Sequence, residues 1–302
     1  MINLLNGILN IYKEKGYTSH DVVAKLRKIC NQKKIGHTGT LDPEATGVLP
    51  ICLGKATKIS QFLTDDTKEY KTTLQLGVTT DTQDHTGSII DKSEVDVTQE
   101  DIEKIAKSFE GNYEQLPPMF SALKVKGKKL YELARQGIEI ERKTRPVHIY
   151  SIKLGAYDKQ HQSIDMTVKC SKGTYIRTLC HDMGQALGCG GHMSQLTRTQ
   201  VGQFRLEDSI TLKELEDYFS LDIQKHLLPV DKIFLNYNAI TIEQKYDKYL
   251  YNGNKINMDE IIIDFSLEDK DYIRIYDNQK QFVGLYQYIK EDNLIKPIKF
   301  FL

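Results

Sequence analysis

The residues best suited to chemistry lie in a twelve-residue stretch, 36–47, that reads GHTGTLDPEATG. Its glycines and proline allow turns that other residues disfavour, and Asp42 precedes Pro43, which biases it away from helical backbone angles. A carboxylate presented on such a loop can act as a nucleophile or stabilise developing positive charge. The same pair is also typical of a helix start, with Asp42 as cap and Pro43 in the first turn. This stretch alone leaves both interpretations open.

A second group of chemically versatile side chains occurs in the sequence GTYIR, residues 173–177. If residues 174–177 are extended, Tyr175 and Arg177 project from one face and bring an aromatic ring and a guanidinium to one place. A surface strand with an exposed arginine explains the same letters.

Two upstream residues have equally open interpretations. Tyr70 stands near the start of an alternating segment, where a tyrosine serves either packing or a site. His37 is either a site residue or a loop histidine that is bonded locally.

Charge is balanced over the whole chain but not along it. The 302 residues contain 41 basic and 41 acidic side chains, so overall charge points to no polyanionic partner. Residues 1–60 contain nine lysines and arginines against four acidic residues, and residues 120–150 contain eight against three, whereas residues 61–119 contain five against thirteen. Two basic blocks separated by an acidic one are typical of a phosphate-binding face with a solvated back. Scattered solvated lysines would give the same counts.

The cysteines indicate a reducing compartment. Five of them occur, none in a CxxC pair and most within apolar patterns, which predicts free thiols and argues against both disulfides and a zinc site; they are Cys30, Cys52, Cys170, Cys180 and Cys189. His181 and His192 lie near two of these cysteines but without a zinc-ligand spacing. The first residues resemble no signal peptide, and no apolar run reaches membrane-spanning length. We therefore expect a cytoplasmic protein.

Hydrophobic periodicity predicts an α+β fold, with a mixed, largely antiparallel sheet flanked by helices. Strands are predicted at 7–12, 48–53, 68–77, 145–157 and 162–170 and around Leu196 and Arg198. Helices are predicted after Thr18 or Ser19, near 56–63, from Thr98 to 109, before Gly137, from 179 to 187 and near 212–219. The polar segment 79–87 is expected to be a surface loop that orders on binding.

Composition changes near residue 235. Residues 236–302 are rich in tyrosine and isoleucine and contain nine basic and eleven acidic residues, a balance that does not favour RNA binding. Strand-like runs occur at 261–265, 272–276, 282–288 and 298–301. We therefore expect two domains, 1–235 and a small β domain at 236–302.

Four ordered segments resemble the bacterial TruB family, the tRNA pseudouridine-55 synthases. They read GHTGTLDPEATGVLPICLG (36–54), KEY (68–70), FSALKVKGKKLYELARQGIE (120–139) and CSKGTYIRTL (170–179). The C-terminal segment resembles in position the PUA domain that often ends these proteins. One departure is that Lys13 is followed by Glu14, where most of the family has a Lys-Pro pair, so the lysine is kept while the rigidity of that loop is in question.

The resemblance implies isomerisation of uridine to pseudouridine at position 55 in the T loop of tRNA, without metal or cofactor. It implies that Asp42 is the catalytic aspartate and that Tyr70 stacks on the base and removes the proton from C5. Tyr175 would line the same pocket. Arg177 should pair with Asp42, because an adjacent guanidinium keeps a carboxylate ionised in a pocket from which water is excluded.

The resemblance also implies substrate contacts that bind the RNA without taking part in the reaction. His37 would help to fill the space left by the flipped nucleotide, and the backbone of Leu196 would contact the uracil. Lysines in the basic segments are expected to contact the RNA backbone, which supplies affinity but little sequence information; they are Lys13, Lys128 and Lys129, with Lys124 and Lys126 beside the last two.

The implied partner is the T arm of tRNA, for a monomer that needs neither a membrane nor an obligate protein partner. Two alternatives remain at this point. One is an RNA-binding, tRNA-folding chaperone without essential catalysis, which would need neither Asp42 nor Arg177. The other is a guide-RNA-dependent pseudouridine synthase that acts on ribosomal RNA.

Overall fold

The computed structural model describes residues 4–64, 66–125, 127–218, 223–259 and 261–302; the predicted positions Lys126 and Phe219 lie outside these ranges. The α-helices within them are Ser19–Ile29 (α1), Ser60–Thr64 (α2), Gln99–Ser108 (α3), Leu130–Ala134 (α4), Ile176–Ala186 (α5), Leu212–Tyr218 (α6) and Asp247–Tyr251 (α7). A 3-10 helix, Gly54–Ile59, leads directly into α2, so the helix predicted near 56–63 is present in two parts.

The strands of the first half are Gly7–Lys13 (β1), Ile35–His37 (β2), Thr46–Leu53 (β3), Lys68–Leu76 (β4), Val78–Thr80 (β5), Ile89–Lys92 (β6), Gly111–Gln115 (β7), Lys124–Val125 (β8) and Lys128–Lys129 (β9). Those of the second half are Arg145–Asp158 (β10), Ser163–Cys170 (β11), Gly191–Val201 (β12), Phe204–Arg205 (β13), Asn238–Thr241 (β14), Ile256–Asn257 (β15), Tyr272–Tyr276 (β16), Phe282–Ile289 (β17) and Leu294–Phe300 (β18).

A nine-stranded sheet forms the centre of the molecule. Its order is β1-β3-β12-β4-β11-β10-β7, with β2 added to β3 and β13 to β12. All its pairs are antiparallel except β3 with β12, which are parallel and in register at Thr46 with Thr197 and Gly47 with Arg198. The predicted mixed, largely antiparallel sheet is therefore confirmed.

Helices cover this sheet where the sequence places apolar residues at helical spacing. Capping boxes at Thr18 and Thr98 begin α1 and α3, which confirms both predicted starts. One hydrophobic cluster joins α3 and α5 to β4, β11 and β12, and a second joins α1 and α6 to β1 and β3. All five cysteines are buried and free, as predicted. Within the described ranges, no helix is both long and apolar enough to span a bilayer.

The C-terminal residues form a separate five-stranded sheet, in the order β14-β16-β17-β18-β15, with its own hydrophobic cluster. The predicted strand 272–276 is confirmed, and 282–288 extends by one residue. Of the predicted 298–301, residues 298–300 form the end of a longer strand and Phe301 lies beyond it. The predicted strand 261–265 is wrong, because no strand is present at 261–265. Leu285 and Phe301 pack with Ile8 and Val48 of the large sheet, so the two sheets share an apolar contact.

One prediction near the chemically interesting residues is wrong and another holds only in part. Residues 174–177 are not extended, because Tyr175 is the N-cap of α5 and Arg177 lies in its first turn. In the segment 79–87, residues 81–87 form exposed or half-buried turns, as expected of a surface loop, but Thr79 and Thr80 are buried in β5. Gln83 and His85 form main-chain hydrogen bonds with Met193 of β12.

Candidate active site

Asp42 lies in a tight turn between β2 and β3. Its carbonyl accepts a hydrogen bond from the Ala45 amide at 3.1 Å, which places Pro43 at the second position of a four-residue turn, where proline is favoured. No helix begins here, so the helix-cap interpretation is wrong. The Asp42 side chain is 42% exposed and is therefore open to a ligand.

Lys13 is hydrogen-bonded to the main chain of this turn. Its side chain is fully buried, and Nζ donates hydrogen bonds to the carbonyls of Tyr17 at 2.7 Å, Pro43 at 3.1 Å and Glu14 at 3.2 Å. Burial lowers the pKa of Lys13 to about 8, and the charge of Asp42 acts in the opposite direction. The prediction that Lys13 contacts RNA is contradicted, because its ammonium is enclosed by protein carbonyls. Its position instead fixes the turn that carries Asp42.

Arg177 forms the predicted ion pair with Asp42. Its Nε lies 3.0 Å from Asp42 Oδ2, and the arginine side chain is only 6% exposed. Nη1 donates to the carbonyl of Thr82 at 3.2 Å and Nη2 to that of Phe120 at 2.9 Å. One guanidinium thus ties together α5, the Asp42 turn, the segment 79–87 and the start of the basic segment.

Asp84 is a member of the site that the sequence did not reveal. Its Oδ2 lies 3.8 Å from Arg177 Nε, and its side chain is 14% exposed. Its Oδ1 accepts hydrogen bonds from the Thr82 hydroxyl at 2.8 Å and the Thr86 amide at 2.9 Å. The polar composition of TTDTQDHTG is typical of a surface loop, so the only available signal was two aspartates in a segment that otherwise looked solvated.

Tyr70 lies on β4 and Tyr175 at the start of α5. Tyr70 is 8% exposed, and burial raises the pKa of its hydroxyl, with Arg198 acting against that rise and Asp42 adding to it. Burial also raises the pKa of Tyr175, again with an upward contribution from Asp42. The negative charge of Asp42 therefore affects both hydroxyls.

The backbone of Tyr175 is held by one buried side chain. Gln115 Oε1 accepts from the Tyr175 amide at 2.7 Å, and Gln115 Nε2 donates to the Tyr175 carbonyl at 3.0 Å. This amide clamp fixes the start of α5, so Tyr175 and Arg177 enter the site together although the chain is not extended there.

His37 and Leu196 lie on strands that border the Asp42 turn. His37 ends β2, its ring contacts that of His20 edge-to-face at 5.2 Å, and its Nδ1 is buried without a hydrogen-bond partner within the described ranges. Burial lowers the pKa of His37, so its neutral form is favoured. Leu196 lies opposite Thr72 in the β12–β4 pair and packs against the cluster that contains Tyr70.

The remaining predicted contacts lie in a small hairpin beyond Phe120. β8 and β9 pair Lys124 with Lys129 and Val125 with Lys128. Lys128 is exposed, and Lys129 Nζ lies 3.2 Å from the Tyr131 hydroxyl and over its ring. Because the Phe120 carbonyl binds Arg177, this basic hairpin leads directly away from the site.

The described residues contain no cluster of three or more histidine, cysteine, aspartate or glutamate side chains arranged to hold a metal ion. The charged groups that meet at Asp42 are one arginine and a second carboxylate, with two phenol rings nearby. This set can bind a flat, uncharged ring and offer a carboxylate to an electrophilic carbon beside it.

Comparisons with known proteins show the family to which the sequence is similar. Residues 27–176 match the N-terminal domain of the TruB family pseudouridylate synthases, and residues 177–235 match the C-terminal domain of tRNA pseudouridylate synthase B. The tRNA pseudouridine synthase B of Alkaliphilus oremlandii is 48% identical over 98% of this chain and 97% of its own length. That of Lachnoclostridium phytofermentans is 48% identical over 99% of this chain and 100% of its own.

Solved structures give the same answer for the fold. A Cbf5-Nop10-Gar1 complex contains a chain that is 30% identical, with a TM-score of 0.74 over 98% of this chain and 85% of that one. An H/ACA RNP bound to a substrate RNA containing 2'-deoxyuridine contains a chain that is 28% identical, with a TM-score of 0.73 and the same coverage.

Proposed function

The chain belongs to the TruB family of pseudouridylate synthases, and from that premise we propose that it converts uridine 55 in the T loop of tRNA to pseudouridine. Activity as a tRNA pseudouridine synthase follows from its likeness to proteins of that name over nearly their whole length. The observation that carries the finer proposal is the 3.0 Å ion pair between Asp42 and the buried Arg177.

The reaction moves one bond and one proton. The bond between N1 of uracil and C1′ of the ribose breaks, a bond between C5 and C1′ forms, the proton on C5 leaves, and N1 gains a proton. No electrons are gained or lost overall. The protein must therefore stabilise an electron-poor sugar carbon, hold the detached base while it turns, and accept the C5 proton.

Asp42 is proposed as the group that acts at the sugar. Its carboxylate can form a bond to C1′ as N1 departs, or stabilise the positive charge that develops there. A carboxylate in a closed pocket would otherwise tend to take up a proton, and the adjacent Arg177 guanidinium favours the ionised form. With its three other contacts fixed, Arg177 holds this charge in place without having to reorganise.

Tyr70 is proposed to stack on the base, to give its hydroxyl proton to N1 of the detached uracil and then to accept the C5 proton, with Tyr175 lining the same pocket. A base within an RNA loop must first leave its stack, at a cost of a few kcal/mol. Stacking on an aromatic ring recovers about 1–3 kcal/mol per base. Stacking on one tyrosine therefore roughly offsets the free-energy cost of flipping the base. We propose that His37 and the Leu196 backbone supply further contacts.

RNA binding is proposed to extend from the site along the β8–β9 hairpin. Lys128 and Lys129 lie on the segment whose Phe120 carbonyl binds Arg177, so a phosphate backbone that follows the hairpin begins at the reactive centre. We also propose the domain division at residue 235, because residues 238–300 have a sheet and a hydrophobic cluster of their own.

The direct test uses a tRNA transcript labelled with tritium at C5 of uridine. We expect one tritium to be released per tRNA, and none from a matched transcript with cytidine at position 55. Release that persists after this replacement would contradict the assigned position. Absence of release from both transcripts, with tRNA still bound, would support the chaperone alternative instead.

The second candidate, a guide-dependent synthase, is favoured by the likeness to H/ACA RNP proteins. Higher identity to the bacterial proteins named tRNA pseudouridine synthase B weighs against it. A bare T-arm hairpin without guide RNA separates the two, because we expect it to be modified. If a hairpin that binds is modified only when a guide is added, the guide-dependent function is correct.

A further inference from the structure

Arg198 is a buried cation that the proposed chemistry does not use. It lies on β12, is 2% exposed and is among the largest fully buried side chains in the molecule. Within the described ranges no carboxylate lies close enough to form an ion pair with it. Burying a charge without a counter-ion is unfavourable, so an arginine at this position indicates a role beyond filling space.

The guanidinium of Arg198 faces the main chain of the Asp42 turn. Nε donates to the carbonyl of Val48 at 2.8 Å, and Nη1 and Nη2 lie 3.5 Å from the carbonyls of Thr40 and Gly39. These carbonyls stand before and after Asp42, so a single side chain spans the turn.

The backbone of Arg198 is equally close to this turn. Gly47, with φ +106°, lies so near that a Cβ there would come within 2.2 Å of the Arg198 carbonyl oxygen. Arg198 is also the β12 residue in register with Gly47 on one side and with Tyr70 on the other. Arg198 therefore lies on β12 between β3, which follows the Asp42 turn, and β4, which carries Tyr70.

Tyr70 is the second group that Arg198 affects. Burial raises the pKa of the Tyr70 hydroxyl and the Arg198 guanidinium lowers it; the other charged or titratable groups that face the hydroxyl are Cys170 on β11 and Asp42, which both raise it. A phenol accepts a proton only after losing its own, so a neighbouring cation assists a tyrosine that is to act as a base.

We propose that Arg198 is a positioning residue that aligns the Asp42 turn for attack at the ribose and holds the Tyr70 hydroxyl ready to take the C5 proton. The proposal rests on the function proposed above. It assigns to one buried side chain the relative placement of the two groups that act at opposite ends of the reaction.

The test is Arg198→Lys in the full chain, assayed by single-turnover tritium release at a temperature at which circular dichroism shows the variant folded. Lysine keeps the charge but cannot span three carbonyls. We expect the rate constant of tritium release to fall about 100-fold, as for a misplacement of about 1 Å, while the total amount of tritium released stays the same. The Kd for tRNA should change less than about twofold. Arg205→Lys, at an exposed arginine on the adjacent strand β13, is the matched control and should be unaffected.

A second variant, Arg198→Gln, buries no charge and tests the effect on Tyr70. Without the cation, we expect the rise of rate with pH to move to higher pH. Reduced amplitude with an unchanged rate would mean that Arg198 serves folding alone, as would failure of both variants to fold, and either result would overturn the proposal. A slow rate with an unmoved pH profile would overturn the part that concerns Tyr70. If the unaltered protein releases no tritium, it is the proposed function that fails.

Discussion

Two groups of cationic side chains in this molecule carry the same charge and differ in exposure. Around Asp42, the cations Lys13, Arg177 and Arg198 are buried and donate to main-chain carbonyls. In the β8–β9 hairpin, Lys128 is exposed to solvent. Burial thus separates cations that shape the protein from cations that are free to meet phosphate, and the sequence alone gives no sign of which is which.

Among the buried cations, the largest effect is expected from removing the negative charge of Asp42, around which they lie. Asp42→Asn should reduce single-turnover tritium release by about 10⁴-fold or more, because the amide cannot act as the nucleophile. Binding of tRNA should change less than about threefold, since phosphate contacts lie elsewhere. Asp91→Asn, at an exposed aspartate, is the control. Substantial turnover by Asp42→Asn would refute the assigned role.

Loss of the second carboxylate should cost less than loss of the first. Asp84→Asn keeps an oxygen that can accept from Thr82 and Thr86 but removes the negative charge that faces Arg177, so we expect the turnover rate to fall about 100-fold. Asp81→Asn, in the same segment, should change the rate less than about twofold. Equal effects from the two variants would show that loop folding, and not the contact with Arg177, is responsible.

Lys13 offers a test that depends on pH. The pKa of Lys13 is about 8 in the folded protein and 10.5 unfolded, so the cost of burying its ammonium is fully present below about pH 8 and is lost as pH rises to 10.5. The free energy of unfolding, taken relative to Lys13→Met, should rise by about 2–3 kcal/mol over that interval. Urea titrations check it, with Lys15→Met, at an exposed neighbour, as control. A flat difference would mean that Lys13 does not titrate there.

The exposed group should show the smallest effects. Lys128→Ala and Lys129→Ala should each weaken tRNA binding about threefold to tenfold and lower the salt slope of log Kd by about 1. Filter binding at several salt concentrations measures both quantities. The modified position should not change, because phosphates carry no base identity. Lys159→Ala, in the exposed turn between β10 and β11, is the control; a shifted modification site would contradict the assigned role.

Sequence reasoning placed Asp42, Tyr70, Tyr175 and Arg177 together because ordered motifs carried them, not because local structure was read correctly. An extended segment at 174–177 would have brought Tyr175 and Arg177 to one face, yet residues 176–186 form a helix with a buried face. The same limit appears at 261–265. There the side chains alternate inward and outward, with Ile262 98% exposed, but no strand pairs with the segment.

The roles of Lys13, Asp84 and Arg198 could not be read from the chain, because each depends on burial and on partners far away in sequence. Arg198 donates to Val48, which lies 150 residues earlier. A lysine beside a predicted loop, or an arginine in an alternating strand, has the same letters whether it faces water or carbonyls. Elements with strong local signals, such as the capping boxes of α1 and α3, were predicted well for the opposite reason.

The parallel contact between β3 and β12 has one more consequence. It consists of two residue pairs. It joins the part of the sheet that packs against α1 and α6 to the part that packs against α3 and α5. Gly47 permits this pairing, because any side chain there would clash with the backbone of Arg198. A third hydrophobic cluster contains Val48 of β3 and Val201 of β12, so it crosses the same contact. Separating the two strands would therefore disturb this cluster as well as the alignment of the Asp42 turn with the strand that carries Tyr70.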